Sequence, residues 1–152
     1  MSGEEYLEAT IDKFVFAVKK GYLYDEQGLW VAVENGVARV GVTDYLQQKS
    51  GDVAFVNLPE PETEVQRGQE LGSIETIKAD VSINSPVSGT IRERNEELDV
   101  RPELVNEDPY GQGWLVLIET TGFESDREEL VTAEEYLPVM KAQAEEARSN
   151  DE

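Results

Sequence analysis

The sequence contains neither cysteine nor histidine among its 152 residues. Without a thiol there is no thiolate nucleophile, and without an imidazole there can be no serine–histidine–aspartate triad. Metal sites built from cysteine or histidine are excluded for the same reason. Carboxylates are so abundant that close pairs will arise by chance, and the alternating acidic pattern of an EF-hand loop is absent. We therefore predict no catalytic residue and no metal ligand.

Basic residues are also scarce, since 13 lysines and arginines stand against 33 acidic residues and the net charge is −20. A chain this acidic is repelled by nucleic-acid phosphates and by anionic membrane surfaces, so we predict neither as a partner. Repulsion between like charges favours a monomer at low salt. The acidity suits basic partners or a salty cytoplasm, although solubility alone explains it equally well.

Long apolar runs are missing as well. No run approaches the roughly 18 residues that a membrane span requires. The N-terminus carries Glu4, Glu5 and Glu8 in place of a charged-then-apolar leader, which predicts a cytoplasmic protein. The length is that of one domain with a single core.

The most informative stretch lies in the middle of the chain. Two arms rich in β-branched residues, Ile74–Ile77 and Val81–Ile83, flank the polar break Lys78-Ala79-Asp80. Such arms favour paired strands, so the simplest prediction is a hairpin with Lys78 at or near its tip. The turn lacks glycine, which weakens the hairpin signal. A lone lysine in such a turn is commonly only a solvated charge.

Residues 1–20 are compatible with two local structures. Leu7, Ile11 and Phe14 fall at helical spacing and predict a short amphipathic helix. Phe14–Val18 could equally form a buried strand. The segment either packs on the body of the domain or docks a partner.

Other local signals are stronger. Asn35-Gly36 between two apolar runs predicts a tight hairpin. Thr43 can cap a short helix that Gly51 would end. Trp30 is most simply a core residue.

The C-terminal residues favour helices. Ser125–Glu128 and Thr132–Glu135 both match the capping-box pattern. Pro138 predicts a kink or a restart within the second helix, and the last few residues are expected to fray.

The run Glu75-Thr76-Ile77-Lys78-Ala79, followed by Ser85-Pro86-Val87-Ser88-Gly89, closely resembles the lipoyl-lysine region of the glycine cleavage system H-protein family. The resemblance covers about residues 22–137. Further blocks that agree in order and spacing are Val40-Gly41-Val42-Thr43-Asp44-Tyr45, Gly51-Asp52-Val53, Val56-Asn57-Leu58-Pro59, Pro102-Glu103-Leu104-Val105-Asn106, Pro109-Tyr110-Gly111 and Gly113-Trp114-Leu115.

The resemblance implies a mainly β fold. We expect a lipoyl/biotinyl-type flattened barrel or sandwich of two small antiparallel sheets, a barrel-sandwich hybrid, with short peripheral helices and a C-terminal helix. The implied organisation is an N-terminal extension at residues 1–20, a lipoyl-type β domain at 21–122 and a helical segment at 123–152 packed on it.

The resemblance also implies a site. Lys78 matches the lysine that carries lipoic acid as an amide, attached by a lipoate ligase or lipoyltransferase. Glu75 and Gly89 match positions thought to help the modifying enzyme recognise the domain. Glu75 could instead be a solvated strand residue, and Gly89 could simply serve a tight turn. The implied protein is a non-catalytic carrier. A dithiol on Lys78 could form no mixed disulfide with this cysteine-free chain.

Two branches of such carriers come into question. In glycine cleavage the partners are glycine decarboxylase, aminomethyltransferase and dihydrolipoyl dehydrogenase. In bacterial sulfur oxidation, lipoate-binding proteins work with a heterodisulfide-reductase-like complex. The sequence leads us to favour sulfur oxidation, because of the N-terminal extension, the acidity, and Gly28-Leu29-Trp30 where H proteins typically show His-Glu-Trp.

Three other classes are less well supported. A biotin carrier favours methionine on both sides of its lysine, whereas Ile77 and Ala79 flank Lys78 here. An unmodified acidic binding module would keep a bare Lys78, and a carboxylate-based hydrolase would turn over substrate without any cofactor.

Overall fold

The structure is a computed structural model that describes residues 5–151. Residues 1–4 of the predicted extension, and Glu152 at the predicted frayed end, lie outside the described residues. The strands are β1 Tyr6–Ile11, β2 Phe14–Lys19, β3 Leu23–Tyr24, β4 Leu29–Glu34, β5 Val37–Val42, β6 Val53–Asn57, β7 Glu64–Val65, β8 Glu70–Thr76, β9 Asp80–Asn84, β10 Gly89–Arg94, β11 Val116–Thr120 and β12 Val131–Thr132. The helices are α1 Asp44–Ser50, α2 Glu97–Val100, α3 Leu104–Glu107, α4 Phe123–Arg127 and α5 Ala133–Asp151.

Two antiparallel sheets form the body of the molecule. The larger has the strand order β12-β3-β4-β5-β11-β10-β7, and the smaller has the order β6-β8-β9. Buried side chains from both sheets, among them Val31, Val40, Ile74 and Ile83, belong to one apolar cluster. Such burial is the main stabilising contribution in a sandwich. The predicted sandwich with peripheral helices and a C-terminal helix is confirmed, and within residues 5–151 the sheets do not close into a barrel.

The hairpin predicted at Asn35-Gly36 is present. β4 pairs with β5 in continuous register, and the two turn residues have φ values of 53° and 77°. Two successive positive φ values match the right-handed twist of the flanking strands, and asparagine and glycine tolerate them best. The hairpin places Trp30 opposite Gly41. Trp30 is fully buried, as predicted, and its indole N–H donates to the Pro109 carbonyl at 2.9 Å.

The N-terminal segment differs from one of the two structures predicted for it. It forms the hairpin β1–β2, so the amphipathic helix is wrong. The alternative of a buried strand at Phe14–Val18 is right for Phe16–Val18, whereas Phe14 and Val15 are exposed. The hairpin packs on α1 and α5, and polar bonds fix it there. The Ala17 N–H donates to Asp44 Oδ2 at 2.9 Å, and the Tyr110 hydroxyl donates to the Ala17 carbonyl at 2.6 Å. The edge of β2 thereby finds partners outside its own sheet.

Helix α1 forms as its sequence indicates. The Thr43 hydroxyl accepts the Leu46 N–H at 3.1 Å, and Gly51 ends the helix with φ 90°. At the other end of the chain, Thr132 and Glu135 form the predicted reciprocal capping box, with bonds of 2.9 and 3.2 Å.

Two other C-terminal predictions need correction. Helix α4, the first helix of this C-terminal segment, begins after Gly122. Ser125 therefore lies inside α4 and does not cap it. Of the kink or restart predicted at Pro138, the restart does not occur, because helix α5 is continuous through this residue. Proline lies in its second turn, where it removes one backbone donor from a helix that tertiary contacts already hold. No helix of residues 5–151 has the length and apolar content needed to cross a membrane.

Candidate functional site

The predicted hairpin around Lys78 is present. Strands β8 and β9 pair antiparallel up to Glu75 opposite Asp80, and Lys78 lies in the turn between them. The Thr76 N–H donates to the Ala79 carbonyl at 2.8 Å. The Thr76 hydroxyl donates to the same carbonyl at 2.9 Å and accepts the Ala79 N–H at 3.1 Å. These side-chain bonds close the turn, which explains why it forms without glycine.

Lys78 itself is exposed, and it makes no ion pair with any residue in the described part of the chain. Its stem lies over the end of α1. The Cε atom is 3.3 Å from the position that a Cβ on Gly51 would occupy. The turn therefore presents a primary amine whose side chain rests against backbone while its polar end stays accessible.

Glu75 is held in place near that turn. It is half-buried, and its Oε2 accepts a hydrogen bond from Asn57 Nδ2 at 2.8 Å. The same amide nitrogen donates to Ser73 Oγ at 3.0 Å. Glu75 also pairs across the sheet with Phe55, a large apolar residue that is 66% exposed. The sheet thus presents a fixed carboxylate beside an exposed aromatic ring.

Gly89 does not lie with Lys78 and Glu75 on this surface. It is buried in β10 between Val65 of β7 and Thr120 of β11. A Cβ at this position would clash with the Glu119 carbonyl oxygen and come within 2.7 Å of Ile118 Cγ2. Close approach of the neighbouring strand is sufficient reason for glycine here. A role in recognition remains a prediction.

Two residues that hold the site in place were not predicted from the sequence. Asn57, which orients Glu75, comes from a strand 18 positions earlier. Asp126, from α4, is 7% exposed and accepts the Ser88 N–H at 2.8 Å, immediately before Gly89. It also pairs with Arg67 Nε at 3.4 Å. Their partners are distant in sequence, so no local pattern could have indicated them.

Asp25 occupies the loop before the Trp30 strand, where the resemblance departs from the H-protein pattern. Burial raises the pKa of this carboxyl above the ordinary value of 3.8, and hydrogen bonds oppose part of the rise. Its Oδ1 accepts the backbone N–H groups of Leu29 at 3.0 Å and Gln27 at 3.1 Å. Asp25 therefore organises the loop, and nothing in its geometry indicates acid–base chemistry.

Fold and site together define a class: a small β sandwich that presents one exposed lysine amine at a hairpin turn closed by side-chain bonds. Comparison with known proteins gives the family. The family model described as glycine cleavage H-protein matches residues 22–143. The chain belongs to the glycine cleavage H-protein family.

Individual relatives agree with that family. The chain is 44% identical over 120 residues to a glycine cleavage system H protein of Staphylococcus epidermidis, covering 79% of this chain and 94% of the relative. It is 39% identical over 136 residues to the glycine cleavage system H protein 4 of Aquifex aeolicus, covering 90% and 79%. The crystal structure of a glycine cleavage system H protein from Mycobacterium marinum superposes with a TM-score of 0.71 at 32% identity, covering 78% and 95%.

Proposed function

We propose that Lys78 carries lipoic acid as an amide and that the chain is the lipoyl carrier of a glycine cleavage system. The observation that carries the proposal is the exposed amine of Lys78, held at a hairpin turn in a chain of the H-protein family. Two parts of the chain bear on this site, the surface around the turn and the cavity beside it.

The residues around Lys78 suit the lipoyl group. A cavity with mainly apolar walls adjoins the side chain, and amide formation would remove a positive charge from its edge. When attached, the group supplies a disulfide ring that can be reduced and reoxidised. The chain has no cysteine that could compete for that ring by exchange.

The modifying enzyme would read the surface of the hairpin. Glu75 is the recognition residue that the geometry favours, because Asn57 fixes its carboxylate three residues before Lys78 in the sequence. A lipoate ligase or lipoyltransferase would approach this face. Gly89 would act indirectly, through the packing of β10 against β11.

The comparisons favour glycine cleavage over the sulfur oxidation that the sequence led us to expect. The matching family and the relatives reported above all carry the glycine cleavage name. A heterodisulfide-reductase-like partner has no support from them. The proposed partners are therefore glycine decarboxylase, aminomethyltransferase and dihydrolipoyl dehydrogenase. A cytoplasmic monomer, divided at residues 20 and 122 as described above, belongs to the same proposal.

Intact-mass measurement of protein from its native host tests the attachment. We expect one lipoyl group per chain, located on the peptide containing Lys78. The variant Lys78→Arg should lose it, whereas Lys49→Arg, at an exposed lysine on neighbouring α1, should keep it. Persistent absence of the group from the native protein would contradict the proposal.

A reconstituted glycine cleavage assay tests the pathway. The lipoylated chain should support methylene transfer to tetrahydrofolate with the three partner enzymes, and the Lys78→Arg variant should support none. Failure of the lipoylated chain in this assay would contradict a role in glycine cleavage and favour sulfur oxidation.

A further inference from the structure

A cavity of about 460 Å³ lies on the outer face of the larger sheet, the face that does not pack against the smaller sheet. Side chains alternate between the two faces of a strand. Ala38 of β5 and Ile118 of β11 are fully buried in the core, so their neighbours Arg39 and Leu117 point outward. These two outward residues oppose each other across the strands, and both line the cavity. The cavity therefore belongs to a different sheet from the turn that holds Lys78.

A β-bulge brings a second arginine to the same cavity. On β10, Ile91 and Glu93 oppose consecutive residues of β11, so Arg92 between them is an extra residue with no partner there. Bulges bend a strand and redirect the side chain that they leave unpaired. Arg92 lines the cavity together with Arg39, and only β11 separates their strands, which puts the two backbones roughly 10 Å apart. Two arginine side chains can reach a common anion across that distance.

Both guanidinium groups are exposed and unpaired. The chain carries 33 acidic residues against 13 basic ones, yet neither Arg39 nor Arg92 forms an ion pair with any residue between positions 5 and 151. Glu34 lines the cavity as well, and it pairs with neither of them. The arginines that do form ion pairs are Arg67, Arg94, Arg101 and Arg148. The two guanidinium groups of the cavity are therefore available to an anion from solution.

Aromatic contacts order one side of the cavity. The guanidinium carbon of Arg39 lies 5.8 Å from the centroid of the Trp114 ring, a cation–π contact that orients the arginine side chain. Tyr22 stacks on the buried Trp30, with ring centroids 4.7 Å apart and planes at 27°. The Tyr22 hydroxyl donates to the Tyr110 carbonyl at 3.3 Å. Tyr22 is therefore held from two sides and forms a fixed aromatic wall.

The charge and the apolar surface of the cavity indicate the class of ligand. The guanidinium fork matches the oxygens of a phosphate or a carboxylate, and two such forks balance the two charges of a phosphate monoester. Carboxylates elsewhere on the chain oppose this binding only weakly, because exposed charges more than about 8 Å away are largely screened at physiological salt. Half-buried Val37 and Leu117, beside Tyr22, form an apolar floor that suits an aromatic body. A phosphate alone would leave that floor uncovered.

We propose that this cavity binds a small molecule that carries a phosphate monoester on an aromatic body. Arg39 and Arg92 bind the phosphate oxygens, and Tyr22 and Leu117 contact the aromatic ring. The proposal goes beyond the carrier function and does not depend on it, because none of these residues touches the turn that presents Lys78.

The test uses the isotope-labelled, full-length chain in a phosphate-free buffer at constant ionic strength, and the probe is phenyl phosphate. Backbone amide chemical shifts give both the location of binding and the Kd. Arg39→Gln and Arg92→Gln each remove one guanidinium group from the cavity. Arg127→Gln, on α4, is the matched control. Arg127 is also exposed and forms no ion pair within the described chain, so its replacement changes the net charge equally.

We expect saturable shifts at Val37, Arg39, Arg92 and Leu117, with a Kd of about 1 mM or tighter. Each cavity variant should raise that Kd about tenfold, because a charged hydrogen bond to the phosphate is lost. Arg127→Gln should leave the Kd unchanged. Inorganic phosphate, which lacks the ring, and benzoate, which has a single charge, should both bind several-fold more weakly than phenyl phosphate.

Equal Kd values in all four proteins, or shifts that never saturate, would show nonspecific attraction to surface cations and overturn the proposal. Inorganic phosphate or benzoate binding as tightly as phenyl phosphate would overturn the ligand class. Lipoylation of Lys78 is measured in the same variants and should proceed at the normal rate, so failure of this proposal leaves the proposed function intact.

Discussion

The Thr76 hydroxyl closes the turn that presents Lys78, so the variant Thr76→Val tests how far that turn is pre-ordered. Valine keeps the shape and the β-branch of threonine while removing a donor to the Ala79 carbonyl and an acceptor of the Ala79 N–H. Each net hydrogen bond contributes about 0.5–1.5 kcal/mol. Because the turn is exposed and water replaces part of the loss, we expect a total cost of about 1–2 kcal/mol.

Three measurements follow from that cost. For a chain of this size, 1 kcal/mol lowers Tm by about 2–4 °C, so Tm should fall by roughly 2–8 °C. The Ala79 amide should exchange its hydrogen about 5–30 times faster, because the bond that protects it is lost. Lipoylation should slow, since the ligase must then order the turn itself.

Thr120→Val is the matched control. The Thr120 hydroxyl also donates to a backbone carbonyl in an exposed turn, that of Gly36 at 2.9 Å, far from Lys78 in the sequence. This variant loses one hydroxyl bond where Thr76→Val loses two, so it should cost about 0.5–1.5 kcal/mol yet be lipoylated at the normal rate. Equal Ala79 exchange in Thr76→Val and the unmutated chain, or equal slowing of lipoylation in both variants, would refute the reasoning.

Three further predictions concern Asn57, Asp126 and Asp25. Asn57→Ala frees the Glu75 carboxylate and should lower kcat/KM for lipoylation several-fold while changing Tm little, because these bonds are exposed; an unchanged kcat/KM would show that the orientation of Glu75 is unimportant. Asp126→Ala leaves the Ser88 N–H without its acceptor and should lower the free energy of unfolding, measured in urea, by about 1–3 kcal/mol. Asp126→Asn keeps an acceptor oxygen and should lower it less, whereas equal losses would show that the ion pair with Arg67 accounts for the effect. Burial raises the pKa of Asp25, so the folded state binds its proton more tightly than the unfolded state, and ionisation lowers stability as pH rises from about 3.8 through the folded pKa. The unfolding free energy of Asp25→Asn minus that of the unmutated chain should therefore increase between pH 3.8 and the folded pKa, and it should be constant at higher pH. A difference that does not depend on pH would contradict the raised pKa.

Elements governed by neighbouring residues could be predicted from the sequence. The Asn35-Gly36 turn, the Thr43 cap and the Thr132–Glu135 capping box each depend on residues within three positions of one another. The same applies to the β-branched arms on both sides of Lys78. In these places backbone preference and side-chain bonding act over a few residues, and no distant contact opposes them.

Elements governed by distant contacts could not be predicted in this way. Leu7, Ile11 and Phe14 have helical spacing, yet the segment is a hairpin, because its second strand finds partners on Asp44 and Tyr110. Ser125 matches a capping pattern but lies inside a helix that begins earlier. Local propensity is weak compared with the free energy of tertiary packing.

The sequence by itself determined that the chain is acidic, free of thiols and imidazoles, β-rich, and built around one lysine in a turn. Only the tertiary structure decided that Asn57 holds Glu75, that Gly89 is buried between strands, and that an aromatic cavity lies beside Lys78. Composition and turn chemistry are properties of neighbouring residues. A cavity exists only where segments far apart in the chain, here the first strands, α1 and the last helix, are brought together by the burial of their apolar faces.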